Sequence, residues 1–443
     1  MGRFFAGRQA KNTLKSRLLK IKNLALGQTA RSIYLVTLGN GLTSLLGLVA
    51  IILVSRQLGP TQFGLFSLTF GVFMTASKFT DLGVNFALSR YTSRHDKGGW
   101  EYYARYALFI KLALTVASSV LGIIFAPYIS NTIFHNNDLT ILLRLSFISL
   151  FGIMFFDYYT TLANSLKMWI SSICLQSVAG LFKIVILVLL VIFSHFTVLS
   201  SILAYLASPI IGAIVGFWLT PRNYLKHLSI QSEHKEQVLR FSSWMGIAVL
   251  VGSVSGNLDI FMVGNKLTAF DVGIYSAASR LSQIVTVITA SIGTVLSIRS
   301  SSLVDPAHKK KFLRKTLSLG SGIFVIAALS WVISESLVRL TVGDSFVGSA
   351  AVFKILLFVA VLGAVQTTIN SNFYGLEKPQ YFAFSSIVTS TVVFVSNTLL
   401  IPRFGSLGAA YSNLISAGAL LLFSLIFLKF SAVSLFRKTK HTD

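Results

Sequence analysis

Residues 33–67 read IYLVTLGNGLTSLLGLVAIILVSRQLGPTQFGLFS. The stretch 33–54 carries no charge, and at 1.5 Å per residue it is long enough, as a helix, to cross roughly 30 Å of hydrocarbon. Arg56, Gln57, Gly59 and Pro60 then interrupt the apolar run, and Phe63, Leu65 and Phe66 open another. Glycine followed by proline marks a turn. Two membrane-crossing helices joined by a tight connection is therefore the reading, and it sets the class of the whole chain.

The rest of the sequence repeats the pattern. Of 443 residues, 54% are hydrophobic and only 12% charged, with a mean hydropathy of +0.74; a soluble globular domain does not have this composition. Apolar runs are expected to form twelve spans at 33–54, 64–88, 106–126, 140–166, 169–193, 197–219, 241–264, 272–298, 317–340, 350–375, 380–401 and 404–430. The expected fold is an all-α polytopic membrane protein. Its single cysteine, Cys174, excludes an intrachain disulfide and a cysteine-built metal site.

The 38 Lys and Arg residues are not evenly spread. Twenty-eight fall in residues 1–32, on alternate connections and at the end, four on the opposite connections (Arg56, Lys266, Arg339 and Arg403), and six within spans. Basic residues collect on the cytoplasmic side, so both termini are expected there. The net charge of +24 points to anionic membrane lipid as partner, because it lies in short loops between spans. Nucleic acid is not expected, since it needs a basic face on a water-soluble module.

Segment 1–32 holds eight bases and no acid, with Leu14, Leu18, Leu19, Ile21 and Leu24 at roughly helical spacing. It reads as a basic amphipathic helix on the cytoplasmic leaflet rather than a cleaved leader. Trp100, Tyr102, Tyr103, Trp169 and Trp218 fall near span ends and read as an interfacial belt. The sequence contains no phosphate-binding G-x-x-x-x-G-K-[ST], no H-E-x-x-H and no G-x-S-x-G. No catalytic residue, metal or cofactor is expected.

An internal repeat divides the chain. Leu58-Gly59-Pro60-Thr61-Gln62-Phe63-Gly64-Leu65-Phe66-Ser67 recurs, 209 residues on, as Leu267-Thr268-Ala269-Phe270-Asp271-Val272-Gly273-Ile274-Tyr275-Ser276. Leu, Gly and Ser are identical and three further positions are similar in type. Each copy occupies the turn between the first two spans of a six-span half. The expected organisation is thus a six-helix lobe at 33–219, a cytoplasmic linker at 220–240, a second lobe at 241–430 and a tail at 431–443.

The run Arg56 to Phe66, followed by Asp81-Leu82-Gly83 and Leu88-Ser89-Arg90, resembles the N-terminal signature of bacterial polysaccharide flippases. These are the O-antigen and capsule repeat-unit translocases of the multidrug/oligosaccharidyl-lipid/polysaccharide exporter superfamily. Trp244, Asp259, Val272-Gly273-Ile274-Tyr275, Ala278 and Arg280 are similar to that family's seventh and eighth spans. The resemblance implies two six-helix lobes around a central cavity in the bacterial inner membrane. It implies transfer of undecaprenyl-diphosphate-linked oligosaccharide to the outer leaflet, beside other polysaccharide-assembly membrane proteins. A small-molecule exporter of the same superfamily is the alternative, and would present acidic residues to cationic drugs. A membrane polymerase or ligase would need a sizeable outside loop bearing catalytic groups, which the sequence lacks.

Charges inside spans cost about 2.5–3.5 kcal/mol each on insertion scales and so face protein or water. Lys78, Lys111, Arg144, Lys183, Arg280 and Lys354 are such residues, and an excess of positive charge suits an anionic diphosphate. Lys78 and Lys183, near the middles of their spans, are the first candidates for substrate binding, with Arg280, Arg144 and Lys354 behind them. The latter three sit in outer portions of their spans, where they can snorkel, as Lys111 can near a cytoplasmic end. Asp157 and Asp259 are the ion-coupling candidates. Local neutralisation competes with these roles: Lys78 with Asp81, Asp157 with Lys183 and Glu335 with Arg339 are each placed to pair. Asn40, Asn85, Asn257, Gln366 and Asn370 offer hydrogen bonds to sugars or to neighbouring helices. Pro209, with Gly212 and Gly216 beyond it, marks a kink or a small-residue packing face.

Overall fold

The structure is a computed structural model of the chain and describes residues 28–94, 99–225, 232–301, 328–375 and 380–439. Most of the expected basic segment 1–32, and the side chains of Asn40 and Asn370, lie outside the described residues. Every regular element among the described residues is helical. In the first half these are α1 Gln28–Phe79, α2 Val84–Arg94, α3 Trp100–Tyr128, α4 Leu139–Ile148, α5 Leu150–Ser165, α6 Trp169–Ile192 and α7 Val198–Leu219. The second half contains α8 Ser232–Lys266, α9 Ala269–Ser301, α10 Ser334–Thr341, α11 Ser349–Gly375, α12 Gln380–Phe404 and α13 Ser406–Thr439.

The opening sequence folds as its residues dictate. Helix α1 bends at Gly59, whose φ of 69° and ψ of 172° are open to glycine, and Pro60 starts the next helical stretch where its missing N–H costs nothing. It is two helical stretches joined by a kink in one element. Seven described helices are long and apolar enough to cross a membrane, and α4 with α5, bent by 40°, makes an eighth. The expected twelve exceed this because α1 holds two of the expected spans, α8 and α9 are not among the eight, and 317–340 falls largely outside the described residues.

One expected span is broken. The reading 64–88 as a single helix fails at Thr80–Gly83, where Leu82 and Gly83 take φ values of 39° and 78° and the chain turns into α2. The reason is local chemistry: Asp81 accepts a hydrogen bond from the Asn85 amide at 3.0 Å, so its carboxylate caps the new helix. Helix α7 runs through Pro209 without interruption. Its Gly212 and Gly216 face Phe156 and Tyr159 so closely that a Cβ at either would overlap the ring-bearing side chain.

Within the first half α6 packs on α7 and α1, and α5 on α7; in the second, α9 packs on α11 and α12 on α13. Helix α1 is the principal bridge, lying against both α9 and α8. The two copies of the repeat meet there. A Cβ on Gly64 would collide with the Ala269 carbonyl, and a Cβ on Gly273 with that of Pro60. Because 64 and 273, like 60 and 269, differ by the repeat offset, the contact is reciprocal. Arg56 reinforces this end by donating from Nε to the Thr341 carbonyl at 2.6 Å and from Nη2 to that of Leu340; it thus caps the C-terminus of α10. Lys266 reaches the Thr398 carbonyl nearby, at 3.4 Å. The few bases outside the rich loops thus gather at what we call the basic-poor end. One apolar core, running from Phe63 and Phe66 through Val272 and Tyr275 to Phe346 and Phe353, crosses the boundary between halves.

Candidate functional site: cations on a shared aromatic cluster

Phe66 and Phe70, one turn apart on α1, stack at 5.9 Å, and Tyr205 of α7 meets both edge-on at 5.0 and 5.2 Å. Two cations close on this cluster from different halves. Lys183 of α6 places Nζ 4.5 Å from the Tyr205 ring centre, and Arg280 of α9 places Cζ 5.5 Å from that of Phe70. Counting from the helix ends at the basic-poor side, Phe70, Lys183, Tyr205 and Arg280 all lie about 10–16 Å in, near half the hydrocarbon thickness. Arg280 is therefore deeper than its expected snorkelling position.

Neither cation has a carboxylate within 4 Å among the described residues, and the expected Asp157–Lys183 pair is not formed. Arg280 makes one long hydrogen bond from Nη1 to Gln283 at 3.5 Å. A cation–aromatic contact contributes about 0.5–2 kcal/mol, less than the roughly 2.5–3.5 kcal/mol that a charge costs at a span centre. The aromatic cluster thus orients the two cations without neutralising them, leaving the pair suited to a bound anion.

The other expected cations are differently placed. Lys78 ends α1, about 28 Å from Pro60 and so near the far interface rather than mid-span. It has no carboxylate within 4 Å among the described residues. Asp81 pairs instead with Lys111, at 3.2 Å, and Lys111 also donates to Asn85 Oδ1 at 2.9 Å. Lys111 does not snorkel: its side chain is fully buried. The turn at 80–83 swings Asp81 round to meet it, which helical spacing from Lys78 could not anticipate. Asp157, half-buried on α5, lies within electrostatic reach of Lys111, Lys78 and Asp81. Arg144 is exposed on the side of α4 away from the packed core. Lys354 stands over the Trp331 ring at 5.3 Å and 4.0 Å from Glu335. Glu335 does not pair with Arg339, which turns to Asp344 at 3.3 Å.

Asp259 occupies a second polar site in the other half. Its Oδ1 accepts from Asn397 at 2.7 Å, and its Oδ2 accepts from Asn413 at 2.8 Å and from the Tyr275 hydroxyl at 3.0 Å. Helices α8, α9, α12 and α13 thus converge on one carboxylate held by neutral donors. Asn397 Oδ1 is buried without a hydrogen-bond partner. Asn397 and Asn413, like Tyr205 and Phe70, were not singled out from sequence; an amide in an apolar run was the available signal for the first two. Of the expected polar residues, Asn257 bonds Thr75 across the halves at 3.1 Å and Gln366 bonds Ser424 at 2.7 Å.

Comparisons with known proteins agree with this architecture. Residues 29–303 match the sequence profile of a family described as "Polysaccharide biosynthesis protein". An uncharacterized membrane protein of Methanocaldococcus jannaschii is 22% identical over 409 residues, covering 85% of this chain and 79% of that one. A "Putative O-antigen transporter" of Shigella flexneri is 22% identical over 247 residues, covering 55% of this chain and 57% of its own length. Among solved structures, the lipid II flippase MurJ in an inward closed conformation has a TM-score of 0.74 at 14% identity, covering 89% of this chain and 87% of that one. An inward-facing multidrug resistance MATE transporter of the MOP superfamily has 0.71 at 15%, covering 88% and 95%. The chain shares its fold with these flippase and transporter structures, and it belongs to the polysaccharide biosynthesis protein family.

Proposed function

We propose that this protein flips undecaprenyl-diphosphate-linked oligosaccharide from the cytoplasmic to the outer leaflet of the inner membrane, by alternating access between lobes at 33–219 and 241–430. Both termini lie in the cytoplasm on this reading, and the chain is a transporter without catalytic residues. One observation carries the proposal: Lys183 and Arg280, from opposite halves and with no carboxylate within 4 Å among the described residues, converge on the Phe66/Phe70/Tyr205 cluster at mid-depth. A diphosphate bound there is shared by both lobes. Lys78, near the cytoplasmic interface, is the cation such a headgroup meets first. Family membership and the likeness to an O-antigen transporter support the substrate class. A cationic drug would find like charge at this cluster, which weighs against multidrug export.

In cells lacking the protein, lipid-linked repeat units accumulate in the inner leaflet. Wild-type protein clears them, whereas Lys183→Ala and Arg280→Ala, inserted at normal levels, do not. Normal clearance by each of Lys183→Ala, Arg280→Ala and Lys78→Ala would remove the cations from the mechanism.

Asp259 is the better of the two ion-coupling candidates. Neutral donors hold its carboxylate, whereas Asp157 already feels the charges of Lys111 and Lys78. Asp259→Asn should leave substrate binding intact while transport in proteoliposomes stops responding to an imposed proton or sodium gradient; a retained response excludes Asp259.

A further inference from the structure

Val72, Thr75, Ala76 and Phe79 form a stripe on the last two turns of α1 at helical spacing. They line one wall of a cavity of about 430 Å³, within the range of about 300–1,000 Å³ usual for ligand pockets. Leu121 and Phe125 of α3 form the opposite wall, and Phe261 of α8 brings in the second half. Phe79, Leu121 and Phe125 are 43%, 54% and 53% exposed, so the groove opens sideways to the bundle's exterior.

Its end toward the basic-poor side is shut. Phe134 and Phe261 meet there at 6.2 Å, and Asn265 donates to the Ile133 carbonyl at 2.8 Å. The wall at this point is a π-helical turn, Ile129–Ile133, which follows Pro127 and widens α3. The other end finishes at Phe79, beside Lys78. Round the helix Lys78 stands about 60° from Thr75 and about 80° from Phe70, so it borders both the groove and the face that carries the cation cluster.

We infer that this groove seats the first units of the polyprenyl chain while Lys78 holds the diphosphate, so that substrate is received with headgroup and tail already separated. The inference rests on the function proposed above and assigns the tail to a site. Polarity along the groove decides the occupant. An inner-leaflet lipid has its phosphate at the cytoplasmic interface and its chain pointing to the midplane. Here Lys78, with no carboxylate within 4 Å among the described residues, lies about 28 Å from the basic-poor end, and the apolar walls run from it toward that end. The rest of a long chain leaves through the open side at Leu121 and Phe125.

Hydrocarbon in the groove gains little over hydrocarbon in the bilayer, because lipid tails are as apolar as leucine. Occupancy must therefore come from the anchored headgroup, and this makes the groove selective. Two long-chain probes carrying the same diazirine near the phosphate end, a polyprenyl diphosphate and a phosphatidylglycerol, are compared on the full-length protein in proteoliposomes. The polyprenyl probe should label Phe79, Leu121 and Phe125 severalfold more than the phosphatidylglycerol probe, and Lys78→Ala should bring it down to the phosphatidylglycerol level.

Equal labelling by both probes makes the groove a general lipid-facing cleft and overturns the inference. Saturable binding of the polyprenyl probe, competed by unlabelled polyprenyl diphosphate but with its chain labelling other residues, overturns the groove and leaves the flippase reading standing. Absence of saturable binding overturns both.

Discussion

Lys111 and Asp81 bury a charge pair in the first half, and the physics of such pairs gives a sharp expectation. Removing one partner strands the other, at a cost of about 3–5 kcal/mol, whereas replacing both by well-packed neutral groups is often neutral. Lys111→Met should therefore destabilise the protein strongly. Lys111→Met with Asp81→Asn should recover most of the loss, because asparagine keeps the oxygen that caps the Asn85 amide. Thermal unfolding in detergent reads both; additive losses would show that the pair contributes no coupling. Sequence alone identified all six cations within spans, since each is a charge in an apolar run. It did not identify their partners. Asp81 was expected to meet Lys78 because the helix was read as unbroken, and Lys111 to snorkel because its span was read from residue 106, whereas α3 begins at Trp100. Gly83, two residues after Asp81, was the visible sign of a break. Tyr205 and Phe70 left no such sign, since aromatic residues among 36 Phe and 14 Tyr do not stand out.

At the scale of elements, the reciprocal approach of Gly64 to Ala269 and Gly273 to Pro60 joins the halves at the basic-poor end. Each contact is backbone against a bare Cα, so any side chain there must push α1 and α9 apart. Gly64→Val and Gly273→Val should both shift the protein toward the state open at that end. A cysteine replacing exposed Phe270 in a Cys174→Ser background measures this: thiol labelling should quicken in either glycine variant. Unchanged labelling in both would mean that the contact does not close that end. The repeat was legible because its glycines recur at one offset, and a tight symmetric contact requires glycine in both copies. The broken span at 80–83 was less legible, because apolar residues continue on both sides of the turn. Hydropathy follows burial in lipid and is blind to a change of helix direction.

For the whole molecule, charge asymmetry and geometry bear on the same question from different sides. The charge rule orients the chain from 28 basic residues on the terminal segments and basic-rich loops against four in poor ones. The structure independently gathers Arg56 with the end of α10, and Lys266 with α12, at one end of the bundle. Ser93 lies on the other side of the α1 crossing, past the break at 80–83. Gln57 and Ser93 are both exposed and flank that crossing. In a Cys174→Ser background, Gln57→Cys should react with a membrane-impermeant maleimide on spheroplasts with an intact inner membrane. Ser93→Cys should react only after that membrane is opened. The reverse pattern would invert the chain, and with it the direction in which Lys78 and the groove receive substrate. A topology set by loop charge should also respond to charge. Neutralising Arg90, Arg94 and Arg105 removes three of the four bases in one rich loop and should produce a fraction of molecules in which Gln57→Cys is protected, whereas neutralising Arg56 should not.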